Sequence, residues 1–257
     1  MRPLLSRQHS ALRLLHYWWP VALGWSVAVV VRRATGRAWD PAGLALLLGG
    51  ITTAYSLDRL LDPPAALPRW LWRTLAGASM AGLLAGAWLL PGLPRRSIAA
   101  AGAAGLLAVA YPLVKRVPLV KTLLVPLVWT ACGIVLPVAV GAAPGWWAEP
   151  VAVPLFLLFV AGCLLCDLKD AARDRATGVP SVPALFGRAA ARQMAVAIAV
   201  VAAGAAVLTG RPALALSAAT LSGVALTPAL VETDVIGPLV VDVIMTLPGL
   251  LIVAHLV

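Results

Sequence analysis

The chain has 257 residues, of which 61% are apolar and only 12% charged, with a formal net charge of +10. Its mean hydropathy of +0.95 lies far above that of an ordinary globular domain and excludes a water-soluble enzyme or binding module. The basic excess suits anionic lipid and an anionic substrate, and a nucleic-acid function has no soluble module to rest on.

In chain order, apolar stretches fall at 14–31, 41–57, 70–90, 97–114, 121–141, 150–166, 189–209, 212–230 and 236–257. Each approaches the roughly 20 helical residues needed to cross about 30 Å of hydrocarbon. The expected fold is all-α: one polytopic membrane domain over residues 1–257, with nine transmembrane helices and no soluble domain left over. The basic N-terminus resembles a signal-peptide n-region. Its apolar run, however, ends in Val31-Arg32-Arg33 with no small-x-small cleavage site, so the segment is expected to be retained. With the N-terminus cytoplasmic, only Arg32, Arg33, Arg37, Arg95, Arg96 and Arg211 of the twenty basic residues fall on the far side. This split favours an N-inside protein of a bacterial inner membrane, with membrane lipids as its surroundings.

Several features read as structural. Cys163 and Cys166 form a CxxC inside an apolar helix, without a second Cys pair or a nearby His, which suits small core residues better than a zinc site. Trp39, Trp70, Trp72, Trp146 and Trp147 sit at expected helix ends, where interfacial Trp is common. His16 and His255 stand alone near the two chain ends.

Five of the ten acidic residues, by contrast, are gathered in two short runs, each at the end of an apolar stretch. Acids are costly near a bilayer and are kept there for function. In AYSLDRLLDPP, Asp58 and Asp62 are four apart and share a helix face, and Pro63-Pro64 ends the helix beside them. A carboxylate there opposes the helix dipole, a penalty that a bound cation reverses; a solvated cytoplasmic turn is the plainer alternative. In CDLKDAARDRATG, Asp167, Asp170 and Asp174 stand at i, i+3 and i+7, which on a continuous helix makes one stripe of three acids. Oxygen-only carboxylate ligands suit Mg²⁺, which binds through carboxylates together with substrate phosphates. Facing each other, the two runs can hold Mg²⁺ across a diphosphate. A third segment, AYPLVKRVPLVK, places Lys115, Arg116 and Lys121 between the fourth and fifth stretches. These cations can clamp a diphosphate leaving group, or serve simply as the positive cytoplasmic flank.

With these segments the chain resembles the UbiA superfamily of intramembrane prenyltransferases. DLKDAARDRATGVPSVPALFG is similar to that family's D-x-x-D-x-x-x-D-R-x-x-G run, with Asp167, Asp170, Asp174, Arg175, Gly178 and Gly187 on its positions. YPLVKR resembles its Tyr-x-x-x-Lys-Arg, on Tyr111, Lys115 and Arg116. The first run matches in part: Asp58, Arg59 and Asp62 fit, while Ala54 and Tyr55 stand where Asn and Asp are usual. The resemblance implies nine helices around a central cavity opening toward lipid. It implies Mg²⁺ as cofactor, an isoprenyl diphosphate as donor and a lipophilic or aromatic acceptor. It implies catalytic and metal-binding roles for Asp58, Asp62, Asp167, Asp170 and Asp174, and substrate contacts by Arg59, Tyr111, Lys115, Arg116 and Arg175, to which Lys121 is added from its charge and position. Two alternatives stay open at this stage: a membrane terpene cyclase on the same scaffold, and a non-catalytic isoprenoid-binding or transport protein, for which Asp242 is the one deep acid.

Overall fold

A computed structural model describes the backbone of residues 2–61, 69–138, 145–233 and 236–256. These residues form helices α1 (Arg2–Thr35), α2 (Pro41–Leu61), α3 (Arg69–Leu89), α4 (Arg95–Val114), α5 (Val120–Val135), α6 (Ala152–Cys166), α7 (Ala171–Thr177), α8 (Val182–Phe186), α9 (Arg188–Leu208), α10 (Pro212–Ala225), α11 (Pro228–Val231) and α12 (Ile236–Val253). No strand occurs among the described residues; a single antiparallel bridge joins Trp39 to Val138.

Local chemistry sets the helix ends. Asp40 caps α2, accepting a hydrogen bond from the Gly43 amide at 2.9 Å, and Pro41 fills the first helical position, where no amide hydrogen is needed. The stretch expected at 212–230 divides into two pieces, α10 and α11. Pro228 forces Thr227 out of the helical region (φ −108°, ψ 92°), and the chain restarts as α11. α5 stops at Val135, just ahead of Pro137, short of the expected 141; residues 139–144 lie outside the described residues. α1 begins at Arg2, well before the apolar run, because the Leu, Arg, Gln and Ala of that stretch are good helix formers.

α6 lies at the centre, beside α5, α9, α10 and α12. Leu155, Leu158, Leu164, Leu165 and neighbouring Leu168 are fully buried. α9, which packs on both α6 and α10, buries Ala191, Ala195, Ala199, Ala202 and Ala206, a stripe of small side chains that lets backbones approach closely. In lipid, where apolar burial between helices brings little, such close packing and interhelical hydrogen bonds hold the bundle. Ser26 of α1 donates to the Thr246 carbonyl of α12 at 2.8 Å and accepts from the Gly249 amide at 3.0 Å, and Ser217 of α10 donates to the Ile244 carbonyl at 2.7 Å. At the α2–α3 contact, a Cβ on Gly82 would stand 2.3 Å from Thr53 Oγ1 and 2.7 Å from the Gly49 carbonyl oxygen, so the crossing requires glycine.

Among the described residues, three helical segments are long and apolar enough to cross a membrane: Arg69–Gly92, which is α3 with a 3₁₀ turn at its end, α9 and α12. α6 and α7 together form a fourth, bent by 79° at the break between them. α3 exposes Trp70, Trp72, Leu83, Leu84 and Trp88, the composition expected of a lipid-facing surface.

Candidate active site

Three helix ends and one helix start converge at one end of the bundle. α6 ends at Cys166, and Asp167 follows as its C-cap. The chain then turns and restarts at Ala171, so the expected continuous stripe of Asp167, Asp170 and Asp174 is broken by the 79° bend. Gly178 closes α7 in the left-handed region (φ 71°), its amide bonding the Asp174 carbonyl, a conformation glycine adopts without a Cβ penalty.

A lysine from another helix gathers the three carboxylates. Lys121, in the first turn of α5, places Nζ 3.0 Å from Asp167 Oδ1, 3.0 Å from Asp174 Oδ2 and 4.0 Å from Asp170 Oδ2. The turn leading into α5 is tight, and Leu119, its N-cap, sits in the left-handed region (φ 63°), a conformation uncommon for a residue with a side chain. Asp167 Oδ2 is buried and has no hydrogen-bond partner.

Tyr111, in the last turn of α4, joins the runs. Lys121, Asp167 and Asp58 all lie within electrostatic reach of its hydroxyl. Lys121 thus joins the Tyr–Lys segment to the second acidic run, and Asp58 of the first run is near enough to act on Tyr111 electrostatically. Asp58 is half-buried near the end of α2, Lys115 is half-buried at the C-cap of α4, and Arg116 is exposed. Arg175 is also exposed and serves as a strut: Nε and Nη2 each donate to the Ala184 carbonyl at 3.3 Å, tying α7 to α8. Asp62 and the Arg59 side chain lie outside the described residues.

Tyr55 stands one turn before Asp58 on α2. Its ring packs edge-on to Trp129 at 6.2 Å, and Trp129 packs on Phe159 at 5.3 Å. Asp242, Cys163 and Cys166 lie within electrostatic reach of Tyr55, and both cysteines are free thiols. Trp129 carries no motif in the sequence; only its place on the face of α5 toward α2 and α6 marks it.

Among the described residues, no three Asp, Glu, His or Cys side chains form a ready metal cluster, because the acids of the second run close on an ammonium. The donor chemistry nevertheless fits Mg²⁺. Three carboxylates already surround a cationic centre, and Asp167 keeps a buried oxygen without a partner.

An apolar helical bundle with a lysine-bridged acidic cluster at one end is the framework of an integral membrane protein. The sequence pattern of the UbiA prenyltransferase family matches residues 69–234, spanning the Tyr–Lys segment and the second acidic run and beginning after the first. The chain belongs to that family. In structure it is similar to a UbiA homolog from Archaeoglobus fulgidus determined bound to DMAPP and Mg²⁺. The TM-score is 0.60 at 12% identity, over 93% of this chain and 98% of that one. No curated protein gives a significant sequence match.

Proposed function

We propose that this chain, over its whole length, transfers an isoprenyl group from its diphosphate to a lipophilic or aromatic acceptor inside the membrane. The observation that carries the reading is Lys121, whose ammonium draws Asp167, Asp170 and Asp174 of the second acidic run to the Tyr–Lys segment. The family match and the Archaeoglobus homolog bound to DMAPP and Mg²⁺ support it.

In this reading Asp58, Asp62, Asp167, Asp170 and Asp174 hold Mg²⁺, with Tyr55 contributing at most a hydroxyl where the family has a carboxylate. When bound, Mg²⁺ supplies Lewis-acid charge that neutralises the departing diphosphate without a proton from the protein. Lys121 exchanges carboxylate partners for non-bridging diphosphate oxygens as substrate arrives, and Lys115, Arg116, Arg59 and Arg175 add positive charge around the same group. Tyr111 orients the diphosphate so that the breaking C–O bond points into the apolar interior. The surrounding aromatic and aliphatic side chains exclude water, which protects the allylic carbon until the acceptor bonds to it. In this reading the nine helices of 14 residues or more among the described residues act as nine spans, with the acidic end and the N-terminus cytoplasmic.

Calorimetry of the purified chain with farnesyl diphosphate, with Mg²⁺ and then with chelator, is the test. Binding should fall sharply on chelation. Equal affinity in both conditions would remove the composite metal–diphosphate site, and product analysis with dimethylallyl, geranyl, farnesyl and geranylgeranyl diphosphates reads out the transfer itself.

A further inference from the structure

The end of the bundle opposite the acidic site is basic. Among the described residues it carries six arginines, Arg32, Arg33, Arg37, Arg95, Arg96 and Arg211, against two acids, Asp40 and Glu149. Tryptophans stand with them: Arg32 lies over the Trp39 ring at 5.1 Å, and Trp146 meets Trp147 edge-on at 6.1 Å. Arginine together with tryptophan is the composition of a surface at the level of lipid head groups.

A cavity of about 470 Å³ between α4 and α5 reaches this end. Its charged lining is confined to it, where Arg96 and the Arg37–Glu149 ion pair stand beside Trp146. Inward the walls are apolar, with Ala104 and Leu107 on α4 facing Leu127 and Ala131 on α5. α4 runs away from this end and α5 returns to it, so Leu107 and Leu127 mark the deepest level. The helix from Arg96 to Leu107 spans roughly 16 Å. That matches the depth of one leaflet, half of about 30 Å of hydrocarbon. Neither Tyr111, Lys121 nor any aspartate of the acidic site lines the cavity.

Shape and charge together select the occupant. A small anion leaves the apolar body unfilled, a neutral hydrocarbon leaves the arginines without a counter-charge, and an amphiphile with a negative head satisfies both. Bilayer lipid is at hand, because the outer faces of the same two helices expose Leu106, Val109 and Leu123. We propose that this cavity is a site for one anionic phospholipid, with an acyl chain between α4 and α5 and the phosphate at Arg96 and Arg37. The site is separate from the acidic end and does not depend on prenyl transfer. Alanines at 100, 103, 104 and 131 keep the walls apart, so a large side chain there closes the space. Each arginine beside an anionic lipid surface tightens binding roughly fivefold.

The test is native mass spectrometry of the full chain in detergent, titrated with phosphatidylglycerol and with phosphatidylcholine of the same acyl chains. Wild type should take up its first phosphatidylglycerol at least about fivefold more tightly. Arg96→Gln should bring the ratio of the two affinities toward one, and Arg96→Lys should keep it. Ala104→Phe on one wall, and separately Ala131→Leu on the other, should weaken both lipids. Equal affinities in wild type, or a preference untouched by Arg96→Gln, overturn the inference. Lipid binding retained by both cavity variants assigns the preference to the surface arginines alone and overturns it too. Displacement of the bound lipid by inorganic phosphate at equal concentration assigns a bare anion site. Displacement by geranylgeranyl diphosphate in Mg²⁺ that Asp170→Ala abolishes assigns the space to the prenyl donor. Either of these last results also overturns the lipid site.

Discussion

Lys121 is the most informative residue to perturb, because one ammonium holds three carboxylates. Its contacts to Asp167 and Asp174 are each 3.0 Å, and the three side chains are only 18%, 10% and 9% exposed. Lys121→Met removes the cation while keeping the length of the stem. Breaking a buried pair from one side costs about 3–5 kcal/mol, and the partial exposure of Lys121 places this case near the lower end, about 3 kcal/mol. For a chain of this size that corresponds to a melting point lower by roughly 6–12 °C in chelator. The acids left behind are a stronger cation site than before, so Mg²⁺ should recover more stability in the variant than in wild type, growing with the logarithm of its concentration. Thermal-shift measurements in detergent, with chelator and across a Mg²⁺ series, check both halves. A variant that melts with wild type in chelator, or gains no more than wild type from Mg²⁺, would refute the reasoning.

Asp167→Ala, Asp170→Ala and Asp58→Ala should each cost at least about a hundredfold in product formation, since groups that merely support metal ligands already cost 10–100-fold; Ala54→Asn, which adds an oxygen ligand to the first run, should leave activity intact or raise it. Cysteines introduced singly at Lys115 and Arg175 should be labelled from the cytoplasmic side and those at Arg95 and Trp146 from the other, and labelling of position 175 from outside alone would reverse the orientation. Gly82→Ala should lower stability by about 1–3 kcal/mol through overpacking against Thr53 and Gly49, read as a lower melting point with the affinity for diphosphate retained.

Much of the helical layout was legible because lipid imposes a simple rule on the chain, and the stretch expected from 41 begins where α2 does, at Pro41. The break at Thr227-Pro228 was also written in the sequence, but the apolar run around it concealed it. The acids of the second run and Lys121 stood out in the sequence as separate residues, and their arrangement around one ammonium did not. Nothing in CDLKDAARDRATG announces the bend after Cys166, since each of its residues before Gly178 tolerates a helix. The partnership of Lys121 with Asp167 and Asp174 joins residues about fifty positions apart and depends on how α5 lies on α6. The Tyr55–Trp129–Phe159 stack has the same origin, three helices each supplying a ring that no local pattern links.

The two ends of the bundle are fastened by different means. Opposite the acidic site, Arg37 bonds Glu149, the Arg211 guanidinium donates to the Ala34 carbonyl at 2.8 Å, and the Asp40 amide reaches the Pro137 carbonyl at 3.1 Å. These links join α1 to α10 and the α2 entrance to the α5 exit, and two of the three end on a backbone carbonyl. At the acidic end, α5 is held to α6 and α7 through one ammonium and the carboxylates around it. Exchange of a single side chain, Lys121, therefore undoes the fastening at that end, whereas the far face is fastened at three separate points.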